Sequence, residues 1–290
     1  MKSNRYSLNK ITPAKIIIII SIFLFLSGST SAIDKSAQPY LLLYAFDTEG
    51  ELLAEKMEIS VTDTILGRAV HSGRLSGIRI VLAESGVGMT NAAMTTQKLI
   101  DKFNPKGIIF SGIAGGIDSS VHIGDIVICD CWITHDYTYH GSEGMIPNDI
   151  DVYSPDNNKI VEKMEFFVDS AFLAKAFELN ETDIGFNKIG GRTPEIIFGG
   201  NCVSGNSFID NVEKRLWLSE RFDALTVDME SSAVVQVAFV NGLPFIIFRS
   251  ASDLAGGSGS ATARSEINQF FGVAAVNSAQ VVMKFLEIIK

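Results

Sequence analysis

The chain has 290 residues, 47% of them apolar and 20% charged, with 25 glycines, 7 prolines and a formal net charge of −9. That length and apolar content suit one α/β domain or two small ones around a large core, and they exclude a disordered chain. The acidic balance repels phosphate backbones and anionic bilayers, so nucleic acid is not an expected partner.

In chain order, residues 1–32 come first and stand apart. MKSNRYSLNKITPAK carries four basic residues and no acid, IIIIISIFLFL is a nearly continuous apolar run, and SGSTSA places Thr30 and Ala32 at the −3 and −1 positions of a cleavage site. The apolar run is shorter than the ~20 residues a spanning helix needs. A signal peptide over 1–32 is expected, with export to the periplasm or outside the cell and no stable membrane span after cleavage. An uncleaved anchor is the alternative. Cleavage leaves 20 basic residues against 33 acidic ones, a net −13.

From residue 39 to 290 one domain is expected. PYLLLYAF reads as a buried strand, EGELLAEKMEI as a helix, and HSGRLSGIRIVLAES as a hairpin. TNAAMTTQKLIDKF has helical spacing, KGIIFSGIAGG is a strand entering a glycine turn, and DIVICDCWIT reads as another strand. Tyr137 to Asn158 is polar and reads as a long surface loop. Ser154, Pro155 and Asp156 look like a helix start, with one or two helices continuing to Leu179. PEIIFGGNCVSG reads as a strand, VEKRLWLSERF as a helix, ALTVDMESSAVVQVAFVNG as strand into helix with Gly242 as its stop, PFIIFRSASD as the last strand, and NQFFGVAAVNSAQVVMKFLEIIK as the closing helix. The alternation predicts an α/β fold with a central mixed, mostly parallel sheet flanked by helices.

Cys129 and Cys131, two apart in one predicted strand, point the same way, and Cys202 is distant in sequence. All three are read as buried thiols, despite the oxidising compartment that export implies. No CxxC or metal spacing is present.

Ligands of such sheets sit at the carboxyl ends of strands. Glycines, hydroxyls and acids gather there: Asp47-Thr48-Glu49, Ser85-Gly86-Val87-Gly88, SGIAGG at 111–116, SGNSF at 204–208, Asp228-Met229-Glu230 and SASD at 250–253. Taken singly these are ambiguous. SGVGMTNAA fails the dinucleotide fingerprint at Asn91. GIAGG fits a phosphate cradle or a close approach of sugar or base to the backbone. His135-Asp136 and His140 read as a pocket rim or plain loop. Asp228 reads as a helix cap, Glu49 alone as a solvated helix residue, and Asp253 alone as a turn residue, while Glu230 beside an apolar helix is harder to explain that way.

Six short motifs in one order change this reading: LLYAFDTEGELL, SGVGMTNAA, SGIAGGI with IGDIVI, SGNSFI, VDMESSAV and PFIIFRSASDLA. Together they resemble the nucleoside phosphorylase superfamily, and within it the 5′-methylthioadenosine/S-adenosylhomocysteine nucleosidases, from about Leu41 to Phe285. The resemblance implies a purine nucleoside as substrate, no metal or organic cofactor, and a homodimer. It implies that Asp253, helped by Ser252, protonates N7 of the leaving purine, and that Glu49 activates the water that attacks C1′. Glu230 with Met229 would hold the ribose hydroxyls, Phe208 would stack on the purine, the Ile209 backbone would read its edge, and Ile113 would line the substrate site. Ile113 and Phe46 depart from the residues common at their places, and the segment between His135-Asp136 and SGNSFI is longer than in compact bacterial members; the family lines the 5′ end of the pocket with that segment, partly across a dimer interface, which leaves the 5′ substituent open.

Phosphorolysis needs arginines around a phosphate. AFDTEGE and SGVGMTNAA carry none, and Glu49 would repel the anion, so hydrolysis is expected. A phosphorylase and a non-catalytic nucleoside-binding or storage relative are the alternatives.

Overall fold

The computed structural model describes residues 38–142 and 144–290. The leader read at 1–32 lies outside the described residues.

The core is one 12-stranded mixed sheet. Its centre is β1 (Tyr40–Tyr44), β4 (Ile78–Glu84), β5 (Ile108–Gly116) and β16 (Phe245–Leu254), all joined by parallel pairing. These strands are largely buried, with apolar runs such as Leu41–Leu43, Ile108–Phe110 and Phe245–Phe248, because helices cover the faces of the sheet. On one side, β3 (Arg68–Leu75) and β2 (Glu58–Ile65) extend the sheet antiparallel. On the other, β15 (Ala224–Asp228), β14 (Asn201–Ser204), β7 (Cys131–Thr134) and β12 (Glu165–Phe167) continue it. β15 touches β5 only through its last residues, Thr226 opposite Gly116 and Val227 opposite Gly115. β5 is thus a fork, with β16 along its full length and β6 (Ile126–Ile128) and β13 (Ile196–Phe198) beyond.

Among the described residues six α-helices flank the sheet: α1 (Asp47–Lys56), α2 (Met89–Phe103), α3 (Ser170–Ala176), α4 (Val212–Phe222), α5 (Ser231–Val240) and α6 (Ala263–Ile288). α5 stops at Gly242, whose φ of 62° gives the left-handed turn expected there. α6 lays Ala274, Ala275, Ala279 and Phe285 onto the sheet, all buried.

PEIIFGGNCVSG is two strands, β13 and β14, parted at Gly199 and Gly200, and three further expectations change. Residues 137–163 are neither loop nor helix but two hairpins, β8 (Thr138–Gly141) with β9 (Gly144–Pro147) and β10 (Ile150–Ser154) with β11 (Lys159–Lys163). Pro155 and Asp156 belong to the β10–β11 turn, closed by Asn158 at φ 51°, since proline and aspartate suit a turn as well as a helix start. β2, left unassigned by the sequence, is nearly all exposed, and Asp63 interrupts its alternation of Ile59, Val61 and Ile65.

The third change concerns the cysteines. DIVICDCWIT is two strands that part at Cys129 and Asp130, β6 pairing toward β16 and β7 toward β14. Cys129 therefore leaves the line of Cys131 and meets Cys202 of β14, with Cα atoms 5.9 Å apart, in a disulfide. Cys131 alone remains a buried thiol.

Candidate active site

The carboxyl ends of β5, β15 and β16 and the first turn of α1 converge on a cavity of about 180 Å³. Glu49, Ile113, Phe208, Ile209, Met229, Glu230, Ser252 and Asp253, distant in sequence, all line it. Phe46, Val87 and Ile267 supply further apolar wall.

One wall is built around Arg249, fully buried in the middle of β16. Its guanidinium lies 4.1 Å from the Phe110 ring centroid, and its Nε is 2.7 Å from Asp228 Oδ2. Nε and Nη2 also donate to Ser231 Oγ at 3.1 and 2.8 Å. Nη1 is 3.9 Å from Glu49 Oε1, and Nη2 is 3.9 Å from Glu230 Oε2. One cation among three buried carboxylates cannot compensate all of them equally. Asp228, the nearest, also accepts from Ser204 Oγ at 2.5 Å, from the Glu230 and Ser231 amides at 3.2 and 3.1 Å, and from Ser231 Oγ. Glu49 and Glu230 lie farther from the guanidinium. Burial pushes Glu49 above the ordinary carboxylate value, against the pull of Arg249 and of backbone amides. Burial, then the charge of Asp228, pushes Glu230 to about 7.

Backbone amides aim these acids. Glu49 accepts from Ala45 N at 2.5 Å and Ile113 N at 2.8 Å, and Glu230 accepts from Gly88 N at 2.8 Å. Gly112 gives the wall its room. A Cβ there would lie 1.8 Å from Arg249 Nη1 and 2.6 Å from Glu49 Oε1.

The other wall carries Asp253, which is 2% exposed. Against β5, β16 runs in register from Phe245 to Ala251 and then slips, so that Asp253 rather than Ser252 stands opposite Gly115. This bulge re-aims the end of the strand. It lets neighbouring side chains meet, with Ser252 Oγ donating to Asp253 Oδ2 at 2.8 Å. Burial raises Asp253 to about 7, opposed by Ser252 and aided by the charges of Glu266 and Asp210. Phe208, 44% exposed, stands at the cavity edge.

Sequence reasoning gave no role to Arg249, although a charged residue inside an apolar strand was itself a signal. Asp228, read as a cap, does cap α5 but also anchors Arg249. His135 is buried at the end of β7 rather than on a rim, while Asp136 accepts from Asn206 N at 2.7 Å and steadies the segment before Phe208. His140 is exposed on β8.

Buried acids on both walls, a guanidinium behind one of them and apolar and aromatic surface between suit an α/β enzyme acting on a ligand with a hydroxylated ring and a flat base. The model of the phosphorylase superfamily matches residues 39–287, and the chain belongs to that superfamily. It is 32% identical over 256 residues to the 5′-methylthioadenosine/S-adenosylhomocysteine nucleosidase of Staphylococcus haemolyticus, covering 86% of this chain and 99% of the relative. To the enzyme of the same name from Bacillus cereus it is 30% identical over 254 residues, covering 85% and 97%. A crystal structure of the Neisseria meningitidis nucleosidase in complex with methylthio-immucillin-A matches with a TM-score of 0.70 and 27% identity, over 86% of this chain and 99% of that one.

Proposed function

We propose that the chain hydrolyses the N-glycosidic bond of a purine nucleoside, 5′-methylthioadenosine and/or S-adenosylhomocysteine, giving adenine and the free thioribose sugar. The observation that carries this reading is the opposition of two buried acids across one cavity, Asp253 with its proton held to about 7 and Glu49 beside Arg249. As the C1′–N9 bond breaks, its electron pair moves into the purine and Asp253 delivers a proton to N7. Positive charge grows on the ribose, where the Glu49 and Glu230 carboxylates stabilise it. Water adds to C1′ and gives its proton to Glu49, whose raised affinity makes it a better base. Glu230, fixed by Gly88 N, holds the ribose hydroxyls, and Phe208 packs on the base. The apolar wall of Phe46, Val87, Ile113 and Ile267 favours a thioether at the 5′ position over a bare hydroxyl.

Water rather than phosphate is favoured by the charge of the site. Its one arginine is already paired with Asp228 and flanked by two more carboxylates, which oppose a dianion. The reading includes a leader over 1–32 and export, which the Cys129–Cys202 disulfide supports because such bonds persist in oxidising compartments. It also includes a homodimer, supported by exposed apolar side chains such as Met94, Tyr137, Tyr139 and Ile146.

The test is release of adenine from methylthioadenosine with and without phosphate. Equal rates are expected; release that requires phosphate makes the protein a phosphorylase, and binding without release makes it a storage or binding relative. Asp253→Asn and Glu49→Gln should each lower turnover by at least ~100-fold. Full turnover in either variant removes the role given to that residue.

A further inference from the structure

The chain that follows Asp253 is held by a second buried carboxylate. Leu254 ends β16, and residues 255–262 turn back through Gly256 and Gly257, at φ 85° and 79°, before α6 begins. These glycines are required by space as well as by φ. A Cβ on Gly257 would lie 2.0 Å from the Ala261 carbonyl, and one on Gly256 2.7 Å from the Val212 amide. The turn is fastened at Ala255 N to Gly116 O (2.8 Å) and at Gly256 N to Ile209 O (3.1 Å). A further anchor is Glu266 in the first turns of α6, 4% exposed, with Oε2 accepting from Leu254 N at 2.9 Å and Oε1 from Ser258 N at 3.0 Å.

An acid this close to a helix start normally serves its own helix. Here Thr262 does that work, accepting from Ser265 N at 3.2 Å, and Asp210 receives Ala263 N at 2.8 Å. Both oxygens of Glu266 are thereby left for the flank of Asp253. The neighbouring Ile267 lines the cavity, so the start of α6 touches the site twice.

We propose that Glu266 is a positioning residue for proton donation, holding the backbone beside Asp253 so that the acid keeps both its place and its proton. This rests on the reading of Asp253 as the general acid. Facing Asp253 are Ser252 and the Ala114–Gly115 backbone, Glu266 from α6, and Asp210 from the segment before α4; Arg215 of α4 reaches the turn at the Gly257 carbonyl, 3.3 Å away. Both Glu266 and Asp210 push the Asp253 proton affinity upward, in addition to burial. Loss of the Glu266 charge therefore lowers the pH at which Asp253 gives up its proton. The descending limb of the rate profile then moves toward acid.

The experiment follows kcat and KM for methylthioadenosine from about pH 5 to about pH 9 in the full chain, Glu266→Gln, Glu266→Asp and Asp253→Asn, with folding checked by circular dichroism. Glu266→Gln should move the descending limb to lower pH, with a greater loss of kcat at pH 8 than at pH 6. Glu266→Asp keeps the charge but cannot span both amides. It should leave the limb in place and lower kcat several-fold, with KM within about twofold. A Glu266→Gln profile parallel to that of the parent overturns the proposal, as does full kcat in Glu266→Asp, which alone decides if Glu266→Gln does not fold. Full turnover in Asp253→Asn instead strikes the acid assignment on which the proposal rests.

Discussion

Asp253 shows how burial lets a single carboxyl hold its proton toward neutral pH. Burial is the largest cause of its shift, with Ser252 opposing it and two nearby carboxylates adding to it. Stability carries the cost. With a folded pKa of about 7 against an ordinary 3.8, the native state binds this proton more tightly than the unfolded chain does. The stabilisation is complete below about pH 4 and is lost as pH climbs through about 7. Asn mimics the neutral carboxyl, so Asp253→Asn should match the parent in stability near pH 4 and exceed it at pH 8 by up to about 4 kcal/mol. Urea melts at the two pH values check this; a parent as stable as the variant at pH 8 would mean that the carboxyl ionises in place without penalty.

Among the elements, β5 and β16 carry the site as a pair. β16 brings Arg249 and, after its bulge, Asp253; β5 brings Gly112, the Ile113 amide for Glu49, and Gly115 opposite Asp253. Gly112 is the tightest point of the pair, because the Arg249 head that occupies its Cβ position is fully buried and bound to Asp228. Gly112→Ala should cost about 3–5 kcal/mol, by displacing a buried ion pair, and should abolish turnover. At Gly115 the added Cβ meets Asp253 Oδ1 at 3.1 Å, so Gly115→Ala should be the milder variant. Thermal melting of the two side by side tests the ranking, and equal midpoints would contradict it. The contrast is invisible in SGIAGG as a string, since both glycines sit in one apolar run. The hairpins over 137–163 were hidden for a similar reason: a proline and an aspartate after Ser154 serve a turn or a helix start, and pairing of β10 with β11 decides between them.

At the scale of the whole molecule, the Cys129–Cys202 bond ties the β6 branch of the fork to β14, which leads through Ser204 toward Phe208. It closes 73 residues of chain, so its removal should cost about 2–4 kcal/mol. Reduction under mild denaturant, or Cys129→Ala with Cys202→Ala, should lower the melting midpoint while leaving KM for methylthioadenosine near its parent value. An unchanged midpoint after full reduction would show that packing alone holds the branch. Cys131 stays out of exchange, because burial raises its thiol to about 12.

By itself the sequence determined the α/β class, the buried central strands and the strand-end placement of Glu49, Glu230 and Asp253. These follow from local chemistry, since apolar β-branched runs make strands and glycines and acids mark their ends. Only the tertiary structure decided that Arg249 pairs with Asp228 and lies between Glu49 and Glu230, that Cys129 bonds Cys202, and that Glu266 grips the flank of Asp253. Each of these depends on a distance between residues far apart in the chain, set by how β5 forks and how α6 returns across the sheet. The RSASD stretch reads as a charged end to a greasy strand; the bulge at Ser252 and the partners gathered around it give Asp253 the burial and the raised proton affinity that the proposed donor role needs.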